Sequence, residues 1–392
     1  MISVAKGFLF SGISAGIKKN KKDLGLIFSQ YPAVIAGVTT RNKIYAAPVK
    51  YCRKIIANGK AQAILVNSGN ANAFTGEKGY NDCLEVADAL SGVLAVPGDY
   101  VAYTSTGVIG VPLPKDTIKK ALSNLKSHLC EDPHDFAEAI LTTDLRTKIM
   151  SKTIAVDEKQ VSFTGISKGS GMIEPNMATM LGFICMDIRI TAAALQNILT
   201  GIVDDTFNMI SVDGDTSTND MVLAIANGAS EVDYEALSEQ SKLNFSHTLR
   251  ELCTYLAKEI VRDGEGVTKV MEITVSGAAT KRDARVIIKS IINSPLIKTA
   301  IYGADPNWGR FMMAVGKTCI EGISSETISL SMGTFAIVEK GVINSFSREE
   351  LKKYLQQKEI TINISLGLGE ESATGWGCDL TEDYIKINTA YN

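Results

Sequence analysis

Histidine is scarce for the length of this chain: three in 392 residues, His128, His134 and His247. All three stand in polar, helical-looking segments away from any glycine-rich loop. A Ser-His-Asp or Cys-His mechanism therefore lacks its base, and a zinc site lacks a usual ligand. The seven cysteines are odd in number and far apart, with no C-x-x-C pair. They read as reduced core thiols of a cytoplasmic protein, not as a disulfide framework or a metal clip. No apolar run approaches the length that spans a bilayer. Charge of one sign is also missing: the net charge is −3, and the lysines at 18, 19, 21 and 22 beside Asp23 read as a solvated turn. Nothing marks a nucleic-acid surface. Residues 1–10 show no basic leader followed by a long apolar segment, so a cytoplasmic protein is expected.

What is present is an ordinary core-forming composition, 45% hydrophobic and 21% charged, long enough for two or three core-bearing units. Periodicity predicts strands at 33–40, 43–49 and 100–103, and another that enters the loop at 63–73. A helix is predicted at 81–94, capped by Asn81, with Leu84, Val86, Ala87, Leu90 and Val93 as its apolar face. Helices follow at 115–128 and 133–140, then a hairpin around 153–163 and an apolar strand from 180. Further on, helices are predicted at 192–207, 233–262 and 284–292, with strands at 221–226, 271–275, 328–332 and 360–366. Ser347 and Glu350 form a capping box for one more helix. The tail from Asp383 alternates as a strand. Strands and helices mix without a strict βαβ rhythm, which predicts an α/β fold of mixed sheets layered with helices.

Loops rich in Gly, Asn and Thr stand at several strand ends. A-I-L-V-N-S-G-N-A-N-A at 63–73 leaves a strand either as a tight Asx-bonded turn or as a close backbone approach to a ligand. T-S-T-G-V-I-G at 104–110 is a strand-to-turn junction. Its Thr106-Gly107 pair can also set a hydroxyl beside a backbone N–H, as an oxyanion hole requires. S-V-D-G-D-T-S-T-N-D at 211–220 invites a Ca²⁺ loop, but the twelfth position falls on Ala224 inside an apolar strand. Asp213, Asp215 and Asp220 are left with capping and turn duty. Glu265, between Gly264 and Gly266, is either a solvated loop acid or a contact for a ligand amine.

The stretch K-G-S-G-M-I-E-P-N-M-A-T-M-L at 168–181 turns from an irregular loop into a core strand at Thr179. A threonine there is ordinarily a β-former. If the bond before it is cut, however, it becomes a nucleophile that carries its own base. An α-amine of pKa about 7.7–8.0 can take the hydroxyl proton without a histidine.

Taken in order, N-S-G-N-A-N-A-F-T-G, T-S-T-G-V-I-G, the 168–181 loop, D-G-D-T-S-T-N-D, D-G-E-G-V-T-K and A-D-P-N-W-G-R resemble the ornithine acetyltransferase (glutamate N-acetyltransferase) family of arginine biosynthesis. The resemblance covers essentially the whole chain. It implies self-cleavage between Ala178 and Thr179 into an α chain, 1–178, and a β chain, 179–392, that fold as one unit. It implies Thr179 as nucleophile, Thr106 and Gly107 as oxyanion hole, and Thr142, Lys168, Thr179, Glu265 and Asn388 as contacts to an amino-acid substrate. Family tails end in Ser or Thr; this one ends in Asn392, which leaves the last substrate contact open. The implied reaction moves acetyl from N2-acetylornithine to glutamate without cofactor or metal, acetyl-CoA remaining open as a further donor. Two α and two β chains would associate. A self-processing amidase or aminopeptidase that passes the acyl group to water is the alternative. A phosphate-binding module built on Lys168-Gly-Ser-Gly lacks the full G-x-x-x-x-G-K-[ST] pattern and has a strand after it where a helix is needed.

Overall fold

The computed structural model describes residues 3–156, 159–174 and 180–389. They fall into two units, Met1–Asp204 with Asp215–Ile260, and Asp205–Gly214 with Val261–Asn392.

The first unit carries β1 (Phe8–Ile13), β2 (Leu24–Thr39), α1 (Ala47–Asn58), β3 (Lys60–Asn70), α2 (Gly76–Leu94), β4 (Val101–Val108), α3 (Lys115–Ser127) and α4 (His134–Ala139). There follow β5 (Lys148–Val156), β6 (Lys159–Lys168), β7 (Leu181–Met186), α5 (Ala192–Asp205), β8 (Met221–Ala226) and α6 (Glu239–Arg262), the last running into the second unit. One sheet joins the strands in the order β4-β3-β2-β8-β7-β6-β5, with β1 paired to β2. The pairs β3/β4 and β7/β8 are parallel and the others antiparallel.

Every residue of β7 and β8 is buried. Such continuous apolar strands belong in a sheet covered on both faces. Ile166, Leu181, Phe183 and Cys185 join the core cluster with residues of α1 to α4. On the opposite face the Phe163 ring lies 5.2 Å from Phe245 of α6. A Cβ at Gly165 would meet Leu252 at 2.5 Å, so α6 lies directly on β6.

Three expectations for this unit change. Residues 43–49 do not form a strand: α1 opens at Ala47 with Pro48 in its first turn, where the missing N–H costs nothing. Helix α2 starts at Gly76, a turn before Asn81, because Tyr80 and Cys83 extend its buried face; Leu84 is 42% exposed. Residues 233–262 are not one helix. Asp233 accepts from Glu235 N to cap a single turn, Tyr234–Ala236, and α6 begins at Glu239.

The second unit is a six-stranded sheet of β9 (Val270–Ala278), β10 (Ser329–Met332), β11 (Phe335–Glu339), β12 (Val342–Ile343), β13 (Glu359–Ser365) and β14 (Glu371–Cys378), ordered β12-β11-β10-β13-β9-β14. Only β9/β13 is parallel. Helix α7 (Lys281–Ile292) is capped by Thr280 Oγ1, which accepts from Asp283 N, and it buries Ala284, Ile287, Ile288, Ile291 and Ile292. That i, i+3, i+4, i+7, i+8 stripe lies on β14, where a Cβ at Gly377 would come within 2.7 Å of Ile292 Cβ. After α8 (Pro295–Tyr302) and α9 (Gly309–Gly316), α10 (Arg348–Leu355) takes the expected cap: Ser347 Oγ accepts from Glu350 N. The tail, expected as a strand, is α11 (Glu382–Thr389). Glu382 and Asp383 suit the positive end of a helix, and Asp383 pairs with Lys386 at 2.9 Å. Ile385 and Ile387, which produced the alternation, stay exposed.

Candidate active site

The end of β4 is held by a buried amide. Asn67 Oδ1 accepts from Tyr103 Oη at 2.8 Å and Ser105 Oγ at 2.6 Å, and its Nδ2 donates to Asn70 O at 2.9 Å. The 63–73 loop does contain an Asx turn, in which Asn70 Oδ1 accepts from Asn72 N, and Asn72 Nδ2 donates onward to Gly79 O. From the 211–220 loop, Asn219 Nδ2 donates to both Ser105 O, at 2.8 Å, and Ala71 O, at 2.7 Å. Thr106 and Gly107 thus sit at the end of a strand fixed from both sides, and β4 extends through them where a turn was expected. Gly107 has φ +136°, and a Cβ there would lie 2.3 Å from the carbonyl carbon of Gly69. Only glycine allows β3 and β4 to approach so closely at this point.

Lys168 ends β6 with its side chain 2% exposed. Its Nζ donates to Thr142 Oγ1 at 2.8 Å and to Thr106 Oγ1 at 3.3 Å, bringing together three residues that lie far apart in sequence. Asp144, its side chain fully buried, is 3.7 Å from Lys168 and 2.8 Å from Lys148, and its Oδ1 also accepts from Gly169 N at 2.6 Å. Burial works against its charge, but Lys168 and Lys148 hold its carboxyl well below the usual carboxylate range. Two lysines thus stand against this one carboxylate. Lys18, which donates to Leu141 O, is pushed down to about 8 by burial, with Lys21 and Lys168 repelling its proton and Asp23 opposing them.

Asp220 follows the 211–220 loop and precedes β8. It is fully buried, and its Oδ1 accepts from Met180 N at 2.8 Å. Burial pushes its carboxyl well above the ordinary range, against the N–H it receives. It does more than turn duty.

In the second unit Glu265 is only 8% exposed, which excludes a solvated loop acid. Its Oε2 accepts from Asn388 Nδ2 at 2.9 Å. Thr381 Oγ1 donates to Gly266 O at 2.7 Å and accepts from Tyr384 N, tying α11 to the Gly264–Gly266 turn.

Of the residues expected at a site, Thr106, Gly107, Thr142 and Lys168 meet in the first unit, and Glu265 and Asn388 meet in the second. Ala178, Thr179 and Asn392 lie outside the described residues. His128, His134 and His247 bond to their own segments, with Asn124, Asp132 and Glu251 respectively. Among the described residues no three His, Cys, Asp or Glu side chains come together to hold a metal ion, and no helix is long and apolar enough to cross a membrane. Sequence reasoning missed Asp144 and assigned Asp220 to a turn. One signal was available for Asp220: it abuts six apolar residues, M-V-L-A-I-A, with no turn former between.

The fold and these residues define an α/β protein of two mixed-sheet units with a buried polar site at the end of the first sheet. The ArgJ family model matches residues 9–392. The chain is 47% identical over 392 residues to the arginine biosynthesis bifunctional protein ArgJ of Bacillus thuringiensis subsp. konkukian, covering 100% of this chain and 96% of that one. It is 43% identical over 391 residues to the protein of the same name from Listeria monocytogenes serotype 4b, covering 100% and 98%. The crystal structure of the arginine biosynthesis bifunctional protein argJ from Bacillus halodurans aligns with TM-score 0.52 and 43% identity, over 54% of this chain and 100% of that one. The chain belongs to the ArgJ family.

Proposed function

We propose that this enzyme of arginine biosynthesis transfers acetyl from N2-acetylornithine to glutamate through an ester on Thr179. The observation that carries this is the Lys168 ammonium joined to Thr106 and Thr142 in a chain of the ArgJ family. A hydroxyl that accepts from a lysine keeps its own proton to donate. Thr106 O–H, with the Gly107 N–H, can therefore be directed at an oxyanion. Each such donor is worth about 3–4 kcal/mol in the transition state.

In maturation the Thr179 hydroxyl attacks the Ala178 carbonyl, the acyl group moves from nitrogen to oxygen, and water opens the ester. The α chain, 1–178, then ends at Ala178 and the β chain, 179–392, begins with a free amine. In turnover Thr179 Oγ attacks the acetyl carbonyl while that amine takes its proton, and the proton leaves on the ornithine nitrogen. The glutamate amine then attacks the ester, receives the acetyl group and restores the hydroxyl. One amide replaces another, so no external energy source is required. Lys168, a buried cation joined to Thr106 and Thr142, suits the substrate α-carboxylate. Glu265, set by Asn388, suits an amine; Thr142 and Asn392 complete the substrate contacts. Two α and two β chains in the cytoplasm complete the proposal.

Gel electrophoresis and assay test it. Wild type should run as two fragments, the second starting at Thr179, and acetyl release should require glutamate. Thr179→Ala should stay whole and lose at least ~1000-fold in turnover. A Thr179→Ala chain that still turned over would overturn the assignment, and release indifferent to glutamate would make the enzyme a hydrolase. The relatives are named bifunctional, which favours a second acetyl donor. Acetyl-CoA offered alone should then leave an acetyl group on the β chain, read by mass spectrometry.

A further inference from the structure

Lys18 stands in the run of lysines between β1 and β2 that reads in sequence as a solvated turn. Its backbone is fixed from within that turn. Asp23, buried, accepts the N–H groups of Ala15 and Ile17 at 2.6 Å, of Lys18 at 2.8 Å and of Gly16 at 3.1 Å. Four charge-assisted bonds to one carboxylate set the course of the peptide. The side chain then lies along the end of β3. A Cβ at Gly69 would stand 2.7 Å from Lys18 Cγ, and Gly69, at φ +97°, pairs with Gly107 of β4. Glycine at 69 leaves the room that the lysine stem fills.

The ammonium ends on Leu141 O at 2.8 Å, and the next residue, Thr142, receives Lys168 Nζ at 2.8 Å. Two ammonium groups are thus anchored on adjacent residues. Lys168 is buried, whereas Lys18 is only partly covered and so can be reached by a small molecule. Burial disfavours the Lys18 charge first of all, with Lys21 and Lys168 adding to it against Asp23 and Asp144. With its pKa lowered to about 8, Lys18 is still mostly a cation near neutral pH. An anion seated beside it would offset both the burial and the repulsion.

The acetyl transfer brings two amino acids to the same threonine in turn, and they differ at the end of the side chain. N2-acetylornithine carries one carboxylate and an amine; glutamate carries two carboxylates. Lys168 suits the α-carboxylate that both share, and a second carboxylate needs a second cation, since burying it unpaired is costly. Anchors on adjacent residues, about 3.8 Å apart at Cα, are of the same scale as the two carboxylate carbons of extended glutamate, about 5 Å apart. We propose that Lys18 is a specificity-determining residue for the acyl acceptor: its ammonium, set on Leu141 O beside Thr142, receives the side-chain carboxylate of glutamate. The proposal rests on the acetyl-transfer reading of this site. An ammonium binds a carboxylate more strongly than it binds an amide, so glutamine, of equal size and uncharged, is the acceptor that separates the two. Lys18 takes no part in making or breaking a bond.

Lys18→Met keeps an unbranched stem on Gly69 and removes the charge. The cut enzyme is assayed with N2-acetylornithine as donor and either glutamate or glutamine as acceptor. Wild type should favour glutamate. In Lys18→Met the ratio of kcat/KM for glutamate to that for glutamine should fall at least tenfold, chiefly through a higher KM for glutamate. For N2-acetylornithine, kcat/KM reports the first half-reaction of a ping-pong enzyme and should change less than threefold. If Lys18→Met yields no cut protein, Lys18→Gln, which can still donate to Leu141 O, takes its place. A wild type that treats both acceptors alike, a ratio that falls less than tenfold, a loss of threefold or more for N2-acetylornithine, or failure of both variants to cut would each overturn the role given to Lys18. Failure of the acetyl-transfer reading shows separately, as wild-type acetyl release that needs no acceptor or an active Thr179→Ala.

Discussion

At the scale of single residues, the site depends on one carboxylate. Asp144 pairs with two buried lysines, and removing it takes a buried counter-charge from both. Asp144→Asn should destabilise the protein by about 3–5 kcal/mol at pH 7, measured by urea unfolding. The sign of the pH dependence follows from the direction of the shift. Asp144 is held below the ordinary carboxylate range in the folded chain, so its contribution is complete above the unfolded value of about 4 and is lost as pH falls through the folded value. The gap between wild type and variant should be flat above about pH 5 and should narrow below about pH 4. A gap that widened with acid would contradict the pairing. None of this was visible in T-T-D-L, where the aspartate looks like any loop acid. Its setting comes from Lys148, four residues on, and from Lys168 and the Gly169 N–H, which the end of β6 brings in.

At the scale of elements, the site stands on how closely β3 and β4 approach. Gly107→Ala would place a methyl 2.3 Å from the Gly69 carbonyl carbon at a φ of +136°, and neither strand can yield, since Asn67 and Asn219 bind both. Cleavage, turnover or both should fall at least ~100-fold, followed on gels and by assay. Gly92→Ala, in helix α2 with nothing within 4 Å, is the control and should be neutral or stabilising by about 0.5–1 kcal/mol. Helices with a clear apolar stripe and a cap, α7 and α10, could be read from sequence because their signals are local. The tail could not: two isoleucines gave it a strand's alternation, but no sheet edge receives them and its acidic first turn prevails.

At the scale of the molecule, the proposed cut falls between two neighbouring strands and not between fold units. β6 and β7 pair antiparallel from Phe163↔Met186 to Lys168↔Leu181, and β7 is paired again to β8 along its whole length. After cleavage the fragments should separate on a denaturing gel yet co-elute on native size-exclusion chromatography. Two native peaks would show that the pairing does not survive the cut. The unit boundaries lie instead near residues 204–215 and 260.

By itself the amino-acid sequence determined the class of fold and the family resemblance, and through that resemblance the roles proposed for Thr106, Gly107, Thr142, Lys168 and Thr179. Those depend on residue type, order and local spacing, which a chain displays before it folds. Tertiary structure alone decided which carboxylates matter. Asp144 and Asp220 acquire their properties from burial and, through Lys168 and Met180, from partners distant in sequence, and desolvation and Coulomb interaction depend on distances that no local pattern encodes.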